Sequence, residues 1–488
     1  MPKPSRAEGP EVPGAPARPP ARVRLWAVLA WLAVWELAAR LVSQPIVLAA
    51  PSAVLVRLAQ LSAAPAFWAA VGLTLGRVAA GFLLGALAGG ALAAAAGRWR
   101  RVEELLAPLM AAVKAVPVAS FVVLALFWFS SRGLSTCVAF LVALPVVYVN
   151  VLQGLRSCDR SLREMARVFG LGRARYARHV ALPQLAPYVE AACSLAVGTC
   201  WKAGVAAELI GVPAGTVGER LYQAKIYLET PDVLAWTLAV VLASVACEKL
   251  LLAALRAVRA RLVRVRAGAG RGARVPGAAP AKKPGLSGGE APAAPAVAVR
   301  DLAFRYPGAE APVLAGAACT LEAGRTYALQ GPSGAGKTTF ARLLLGLERP
   351  AAGTLHGLEG VPCAAAFQEP RLVGGLTALQ NVLLAHPAAT RDQVMEAFRR
   401  LGVEGCAHRA ARDLSGGQAR RVALARALVG DAPFVVLDEA FASLDAGSRA
   451  QALAWARGRL AGRTALVVTH DPAEAAALGA VPLRGVLH

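Results

Sequence analysis

Gln330-Gly331-Pro332-Ser333-Gly334-Ala335-Gly336-Lys337-Thr338-Thr339 decides the fold of the second half of this chain. It fits the template Gly-x-x-x-x-Gly-Lys-Ser/Thr, and it stands between an apolar run, Thr326 to Leu329, and a helix-like run, Phe340 to Leu347. A strand, a glycine-rich loop and a helix in that order form a phosphate cradle. Gly331, Gly334 and Gly336 let the backbone of the loop, which also holds Pro332, Ser333 and Ala335, curl so that its N–H groups point at the phosphates, while the helix that follows Thr339 presents its positive end to them. Lys337 is placed to reach the β- and γ-phosphates of a nucleotide, and the Thr338 hydroxyl to reach a magnesium ion bridging them.

About a hundred residues downstream, Phe434-Val435-Val436-Leu437-Asp438-Glu439 reads as a buried strand ending in two acids, at the edge where open α/β sheets bind ligands. Asp438 suits the magnesium shell, and Glu439 suits the attacking water, to orient or deprotonate it. Leu414-Ser415-Gly416-Gly417-Gln418, Gln368 within Phe367-Gln368-Glu369-Pro370-Arg371-Leu372, Ser443-Leu444-Asp445, and His470 after Val467-Val468-Thr469 complete the set. In this order the motifs resemble those of ATP-binding cassette (ABC) ATPases. The resemblance implies ATP and Mg2+ as cofactors, with Gln368 sensing the γ-phosphate and the metal, and His470 acting as a switch on the γ-phosphate. It also implies that Ser415, Gly416, Gly417 and Gln418 meet a nucleotide held by a second copy, that Asp445 couples the two sites, and that Tyr306 stacks on adenine. Val297 to Arg305, just before Tyr306, alternates as a strand does.

Composition describes what lies in front. Of the 488 residues 56% are hydrophobic and only 17% charged, and mean hydropathy is +0.50, a balance typical of membrane proteins. The net charge of +23 raises nucleic acid as a partner, but the arginines lie in short loops beside apolar runs, where orientation in a membrane accounts for them. Nucleic-acid binding is therefore set aside. The eight cysteines show no Cys-x-x-Cys spacing and read as small buried hydrophobes.

Residues 1–20, rich in Pro, Ala and Gly, read as a disordered tail. The first apolar run, Leu25 to Val42, reads as a membrane span, and further runs at 69–96, 105–129, 134–155, 187–210 and 233–255 make six. Arginines crowd the segments before span one, after spans two and six, and between spans four and five. The opposite loops hold only Arg57, Arg132, Arg220 and Lys225, which places both termini in the cytoplasm of a multi-pass protein of the cytoplasmic membrane.

The polar loop 156–183 contains Glu164-Met165-Ala166, then Gly170, then Val180-Ala181-Leu182-Pro183. These spacings resemble the EAA loop of ABC importer permeases, with Met165 for the middle Ala and Val180 for Ile. A short helix capped by Gly170 and stopped by Pro183 would project as a peg into a partner's groove, with Glu164, Ala166, Gly170 and Pro183 as coupling residues. An arginine-rich amphipathic helix lying on anionic lipid is the other reading. Pro51-Ser52, Lys114-Ala115-Val116-Pro117 and Ala207-Glu208 extend the resemblance to permeases of the nitrate, sulfonate and taurine importers. Gly215-Thr216-Val217-Gly218 departs from the Gly-Leu-Gly usual there. Lys114, Lys202 and Glu208 are substrate-path candidates because a charge within a span is costly unless it is paired or faces water. Lys202 would attract an anion or pair within the bundle; Lys114 would contact substrate or carbonyls freed by Pro117.

The expected architecture is an N-terminal all-α membrane domain of the type I importer permease kind (21–262), a flexible linker (263–295), and an α/β P-loop ATPase domain (296–488). The 78 positions from Lys337 to Ser415 predict a small helical subdomain. With 18 residues after His470, no inhibitory domain is expected downstream. One permease and one ATPase make half a transporter, so a homodimer in lipid is implied. With an extracytoplasmic solute-binding protein, it would import a small solute: an anion such as nitrate, a sulfonate or taurine, or a vitamin precursor. A homodimeric exporter is the alternative.

Overall fold

The computed structural model describes residues 25–128, 130–263, 293–442 and 444–486. The tail read at 1–20, linker residues 264–292 and Ser443 lie outside the described residues. The chain divides into two compact units, Met1–Val149 with Cys193–Leu251 and Asn150–Ala192 with Leu252–His488. The loop 156–183, read above as part of the membrane domain, thus belongs to the unit that holds the P-loop.

The helices ahead of the linker are α1 (Leu25–Val42), α2 (Pro51–Ser62), α3 (Pro65–Arg98), α4 (Arg100–Ala115), α5 (Val118–Ala125), α6 (Ser131–Arg156), α7 (Arg160–Val168), α8 (Arg173–Tyr176), α9 (Leu182–Gly211), α10 (Val217–Ile226) and α11 (Thr230–Val263). Among the described residues five helical segments are long and apolar enough to cross a membrane, or six if α4 and α5 count as one broken span. That pair divides the third span, read above as one run over 105–129 with carbonyls freed at Pro117. The two helices meet at 97°. The residue before a proline is disfavoured in the helical region, and Val116, ahead of Pro117, leaves it at φ −68° and ψ 124°. Hydropathy reads through such a break because both flanks are apolar.

In the first unit, α3 and α6 touch backbone to backbone. A Cβ built at Gly81, Gly85 or Gly89 would lie 2.3, 2.7 or 2.6 Å from the carbonyl oxygens of Thr136, Phe140 and Leu144 respectively. Glycine at every fourth position is the stripe that lets membrane helices pack closely. Nearby, Glu208 of α9 is fully buried, with Thr74 Oγ1 donating to it at 2.8 Å, Ser135 Oγ at 3.3 Å and the Gly218 N–H at 3.3 Å. A Cβ at Gly218 would stand 2.2 Å from that of Glu208, so the second glycine of Gly215-Thr216-Val217-Gly218 is required by close approach.

In the second unit, Asp159 caps α7 by accepting from the Ser161 N–H at 2.7 Å. The helix ends in a Schellman turn. Gly170 at φ +61° lets its N–H reach the Arg167 carbonyl (3.0 Å) and that of Leu171 reach Ala166 (2.8 Å). The expected stop at Pro183 is not found. One helical segment runs from Arg173 to Gly211 through a π turn at Ala177–Ala181, and Pro183 sits in the first turn of α9. Because the ladder already departs there from its regular register, the proton missing from the proline nitrogen breaks no ordinary bond.

Two sheets follow. Strands β1 (Val297–Phe304), β2 (Leu314–Leu321) and β4 (Ala352–His356) form an antiparallel sheet ordered β2-β1-β4. Strands β3 (Thr326–Leu329), β5 (Cys363–Ala366), β6 (Phe434–Asp438), β7 (Thr464–Val468) and β8 (Val481–Pro482) form a parallel sheet ordered β5-β6-β7-β3-β8. Every residue of β6 and β7 is buried, which is why they read as unbroken apolar runs. Helices α12 (Lys337–Leu344), α13 (Ala378–Ala385), α14 (Arg391–Arg400), α15 (Gly416–Leu428), α16 (Ala446–Leu460) and α17 (Pro472–Leu478) complete the unit.

Replacing Gly85 with leucine should destabilise the α3–α6 pair by about 1–3 kcal/mol or more, since backbone atoms cannot yield as a side chain can. Gly90→Leu, where a Cβ would meet nothing within 4 Å, should be tolerated. Thermal unfolding of the purified chain in detergent separates the two; equal melting temperatures would rule out the packing described.

Candidate active site and its coupling contact

Strand register assembles the site. Leu329 pairs with Val468, Asp438 with the same Val468, and Ala366 with Leu437, so β3, β5, β6 and β7 end level along one edge. The residues that follow are therefore neighbours: the P-loop 330–336, Phe367-Gln368, Glu439, and Thr469-His470. Lys337 Nζ donates to the carbonyls of Gly331 (2.7 Å) and Pro332 (2.6 Å), which centres the ammonium under the loop's arch. Gly336 adopts φ +91° just ahead of α12, where a Cβ would also crowd Val313. Thr338 Oγ1 lies 3.4 Å from Asp438 Oδ1, and Gln368 Nε2 donates to Glu439 Oε2 at 3.2 Å. Glu439 itself has φ +48°, a strained backbone for a side-chain-bearing residue of the kind that clusters at functional sites.

Thr338, Gln368 and Asp438 open on a recess of about 220 Å³ also lined by Arg371. A hydroxyl, an amide and a carboxylate are hard oxygen donors suited to magnesium. Among the described residues no group of three His, Cys, Asp or Glu gathers to hold a metal by side chains alone. Burial raises the Asp438 carboxyl from its ordinary 3.8 to about 6, with Glu439 adding to the rise, while the Thr338 hydroxyl and the charges of Arg371 and Lys337 oppose it.

The remaining motif residues sit at caps and turns. Ser415 caps α15 in a capping box with Gln418, ahead of Gly416 and Gly417. Asp445 caps α16 by accepting from the Ser448 N–H at 2.9 Å. His470 is exposed beyond β7, in a turn where the Thr469 hydroxyl donates to Glu474 at 2.6 Å. Tyr306 is exposed, with its hydroxyl 3.3 Å from Thr339 Oγ1 and its ring edge-on to Phe304. Ser333, Gly334, Ala335 and Thr339 fall within or directly after the loop as the motif requires.

Glu164, from the loop 156–183, is the acid that organises the neighbourhood. Arg342 on α12 grips both of its oxygens (2.7 and 2.8 Å), Arg371 donates to Oε2 at 2.9 Å, and Arg160 approaches from one turn earlier at 3.2 Å. Glu348 also accepts from Arg342 at 2.8 Å. Burial would raise the Glu164 carboxyl, but the Arg342 bonds and the charges of Arg342 and Arg371 outweigh it and hold the group below the ordinary carboxylate range. Leu162, Met165 and Val168 of α7 are buried in one core with Phe340, Leu344 and Phe367. The apolar face that would lie on lipid is covered by protein. Ala166 is buried on the same helix.

Of the substrate-path candidates, Lys202 is exposed on α9, and Lys114 lines an apolar recess of about 410 Å³ with Phe121, Val142 and Pro145. Glu208 differs: buried and bonded on both oxygens, it supports a structural clamp more readily than a substrate contact. Sequence reasoning passed over Arg77, a partly buried arginine in α3 whose Nη1 is buried without a hydrogen-bond partner. The rule applied to Lys202 would have found it. Arg342, Arg371 and Arg426 were also passed over because their partners are remote in sequence.

Two family models match the chain: "Binding-protein-dependent transport system inner membrane component" over residues 81–264 and "ABC transporter" over residues 314–442. A thiamine import ATP-binding protein, ThiQ, of Brucella abortus biovar 1 (strain 9-941) is 39% identical over 179 residues, 33% of this chain and 74% of that protein. An aliphatic sulfonates import ATP-binding protein, SsuB 1, of Paraburkholderia xenovorans (strain LB400) is 39% identical over 192 residues, covering 38% and 55%. A mycobactin import ATP-binding/permease protein, IrtB, of Mycobacterium bovis (strain ATCC BAA-935 / AF2122/97) is 35% identical over 198 residues, covering 36% and 34%.

The raised Asp438 carboxyl fixes a sign. In the fold it binds its proton more tightly than in the unfolded chain, so ionising it above about pH 6 costs stability, a two-unit shift amounting to roughly 3 kcal/mol. Asp438→Asn should therefore raise the melting temperature of the nucleotide-free protein at pH 7.5, by an increment that shrinks as pH falls below about 6. Magnesium-dependent ATP hydrolysis should be lost in the same variant. Melting curves at pH 7.5 and 5 without divalent ions check this, and no gain at pH 7.5 would contradict it.

Proposed function

We propose, for a chain that belongs to the ABC transporter family and fuses an importer-type permease to its own ATPase, that two copies act together with a separate extracytoplasmic solute-binding protein to import a small solute. The protein is a membrane protein that binds nucleotide and couples ATP hydrolysis to transport. The solute is read as an anion such as nitrate, a sulfonate or taurine, or as a vitamin precursor. The names of the thiamine and sulfonate relatives support that range without choosing within it. Both termini are assigned to the cytoplasm by the arginine distribution.

The observation that carries the reading is the grip of Arg342 and Arg371 on Glu164. Arg342 lies on the helix that begins at the P-loop lysine, and Arg371 lies three residues beyond Gln368. A displacement of either nucleotide-contacting segment is thus delivered to the EAA loop through charge-assisted, partly bidentate bonds. Gly170 ends that loop's helix so that it remains a peg.

In this reading the adenine stacks on Tyr306 and the phosphates lie against the P-loop amides, the start of α12 and Lys337. Thr338, Asp438 and Gln368 would hold a magnesium ion, which would supply positive charge against the phosphates. Ser415, Gly416, Gly417 and Gln418 of one copy face the nucleotide of the other, with Asp445 at the same seam, which is why one copy is half a machine. Glu439 orients a water and accepts its proton as the oxygen attacks the γ-phosphorus; the bond to the β-phosphate oxygen breaks, and His470 steadies the γ-phosphoryl group. Lys202, exposed on α9, favours negative charge along the solute's path.

Solute flux in sealed vesicles of known orientation, with and without the candidate binding protein, tests the direction. Uptake toward the ATPase side only when the binding protein is present is expected, and Lys202→Ala should reduce uptake of an anion more than it reduces ATPase activity. Transport in the opposite direction with no binding protein would identify an exporter instead.

Glu439→Gln should retain ATP binding, lower hydrolysis by several powers of ten, and trap the two-copy, ATP-bound form. Size-exclusion chromatography with ATP and a phosphate-release assay measure both. Near-normal hydrolysis would remove Glu439 from its role.

A further inference from the structure

Arg426 lies near the end of α15, the helix that begins at Ser415-Gly416-Gly417, and its side chain is fully buried. Among the described residues it has no carboxylate partner. Its guanidinium instead donates to two consecutive carbonyls, Arg371 at 2.7 Å and Pro370 at 2.8 Å, and lies 5.2 Å from the ring centroid of Phe169. Its own backbone carbonyl accepts from His386 Nε2 at 2.6 Å, and the His386 ring packs edge-on against the same Phe169 at 5.7 Å. A Cβ at Gly430 would meet that ring at 2.3 Å, so the imidazole is wedged in place.

A guanidinium buried without a counter-charge is expensive, and one used only to fill space would be replaced without loss by an apolar side chain. Here its planar fork joins three segments: the signature helix, the chain just past Gln368, and Phe169 at the end of the EAA-loop helix. A fork with two parallel donors holds orientation as well as distance, which a lysine's single ammonium does not. Arg371, whose carbonyl Arg426 holds, in turn holds Glu164 with its side chain. We propose that Arg426 is a positioning residue that transmits movement of the signature helix, which meets the other copy's nucleotide, to the Gln368 segment and through Phe169 to the 160–171 loop. This rests on the reading of that loop as the coupling element.

The test is hydrogen exchange on the full chain in lipid nanodiscs with and without Mg-ATP, in the Glu439→Gln background so that nucleotide stays bound. In that background ATP should slow exchange both in the P-loop, 331–340, and in 160–171. Adding Arg426→Lys should leave the P-loop response within twofold and reduce the 160–171 response at least threefold, the remainder being delivered through Glu164 by Arg342 and Arg371. Phe169→Leu, which keeps apolar volume and removes the π face, should act in the same selective way. Should Arg426→Lys disturb folding and lose the P-loop response as well, Phe169→Leu decides: a preserved 160–171 response in it overturns the proposal. A preserved 160–171 response in a folded Arg426→Lys chain overturns it too. No ATP response at 160–171 in the Glu439→Gln chain itself would instead overturn the coupling reading on which the proposal stands.

Discussion

One buried carboxylate shared by two arginines sets the terms for the unit that holds the ATPase. Glu164 is nearly out of water, and removing a carboxylate from water is costly unless its oxygens are saturated. Arg342 and Arg371 saturate them, and each has a second obligation, to the P-loop helix and to the segment beyond Gln368. The ion cluster cannot rearrange piecemeal, because withdrawing one arginine leaves the other facing an under-compensated buried charge. A small shift at the nucleotide is therefore carried to α7 or resisted as a whole. The apolar side of α7, with Leu162, Met165 and Val168 in the core beneath, keeps the carboxylate at a fixed height while this happens.

Much of the ATPase was legible because its chemistry is written in short covalent spacings. The P-loop, the Asp438-Glu439 pair and the signature each need only local sequence to be recognised, and parallel strands buried on both faces declare themselves as apolar runs. The level strand ends that bring these pieces together follow from the sheet's register, which the sequence implies only through the order of motifs. Elsewhere the reading went astray for identifiable reasons. Pro117 marked a break, but both of its arms are apolar, so hydropathy counted one span across it and left the angle between the arms unread. Pro183 looked like a stop because a proline inside a helix ordinarily costs a backbone bond, and the π turn ahead of it removes that conflict.

The arginines were the least legible residues. In a chain this basic, one more arginine on a helix reads as solvated surface, yet Arg426 is fully buried and Arg342 is largely so. Arg342 and Arg371 find Glu164 178 and 207 positions away, beyond any helical or strand period. Such pairings depend on tertiary closure, and no local pattern encodes them. Arg77 is a different omission: it stands alone in an apolar span, and the rule that singled out Lys202 applied to it equally.

The glycine stripe on α3 bears on how the membrane half can move. Helices held apart by long side chains can slide, because rotamers absorb the displacement. Three glycines set directly against the carbonyls of α6 leave nothing to absorb it, and any axial slip would drive the bulkier residues between them into the backbone of the neighbour. Those lengths of α3 and α6 therefore behave as a single girder, so rearrangement within this bundle falls to its looser joints, of which the bend between α4 and α5 is the plainest.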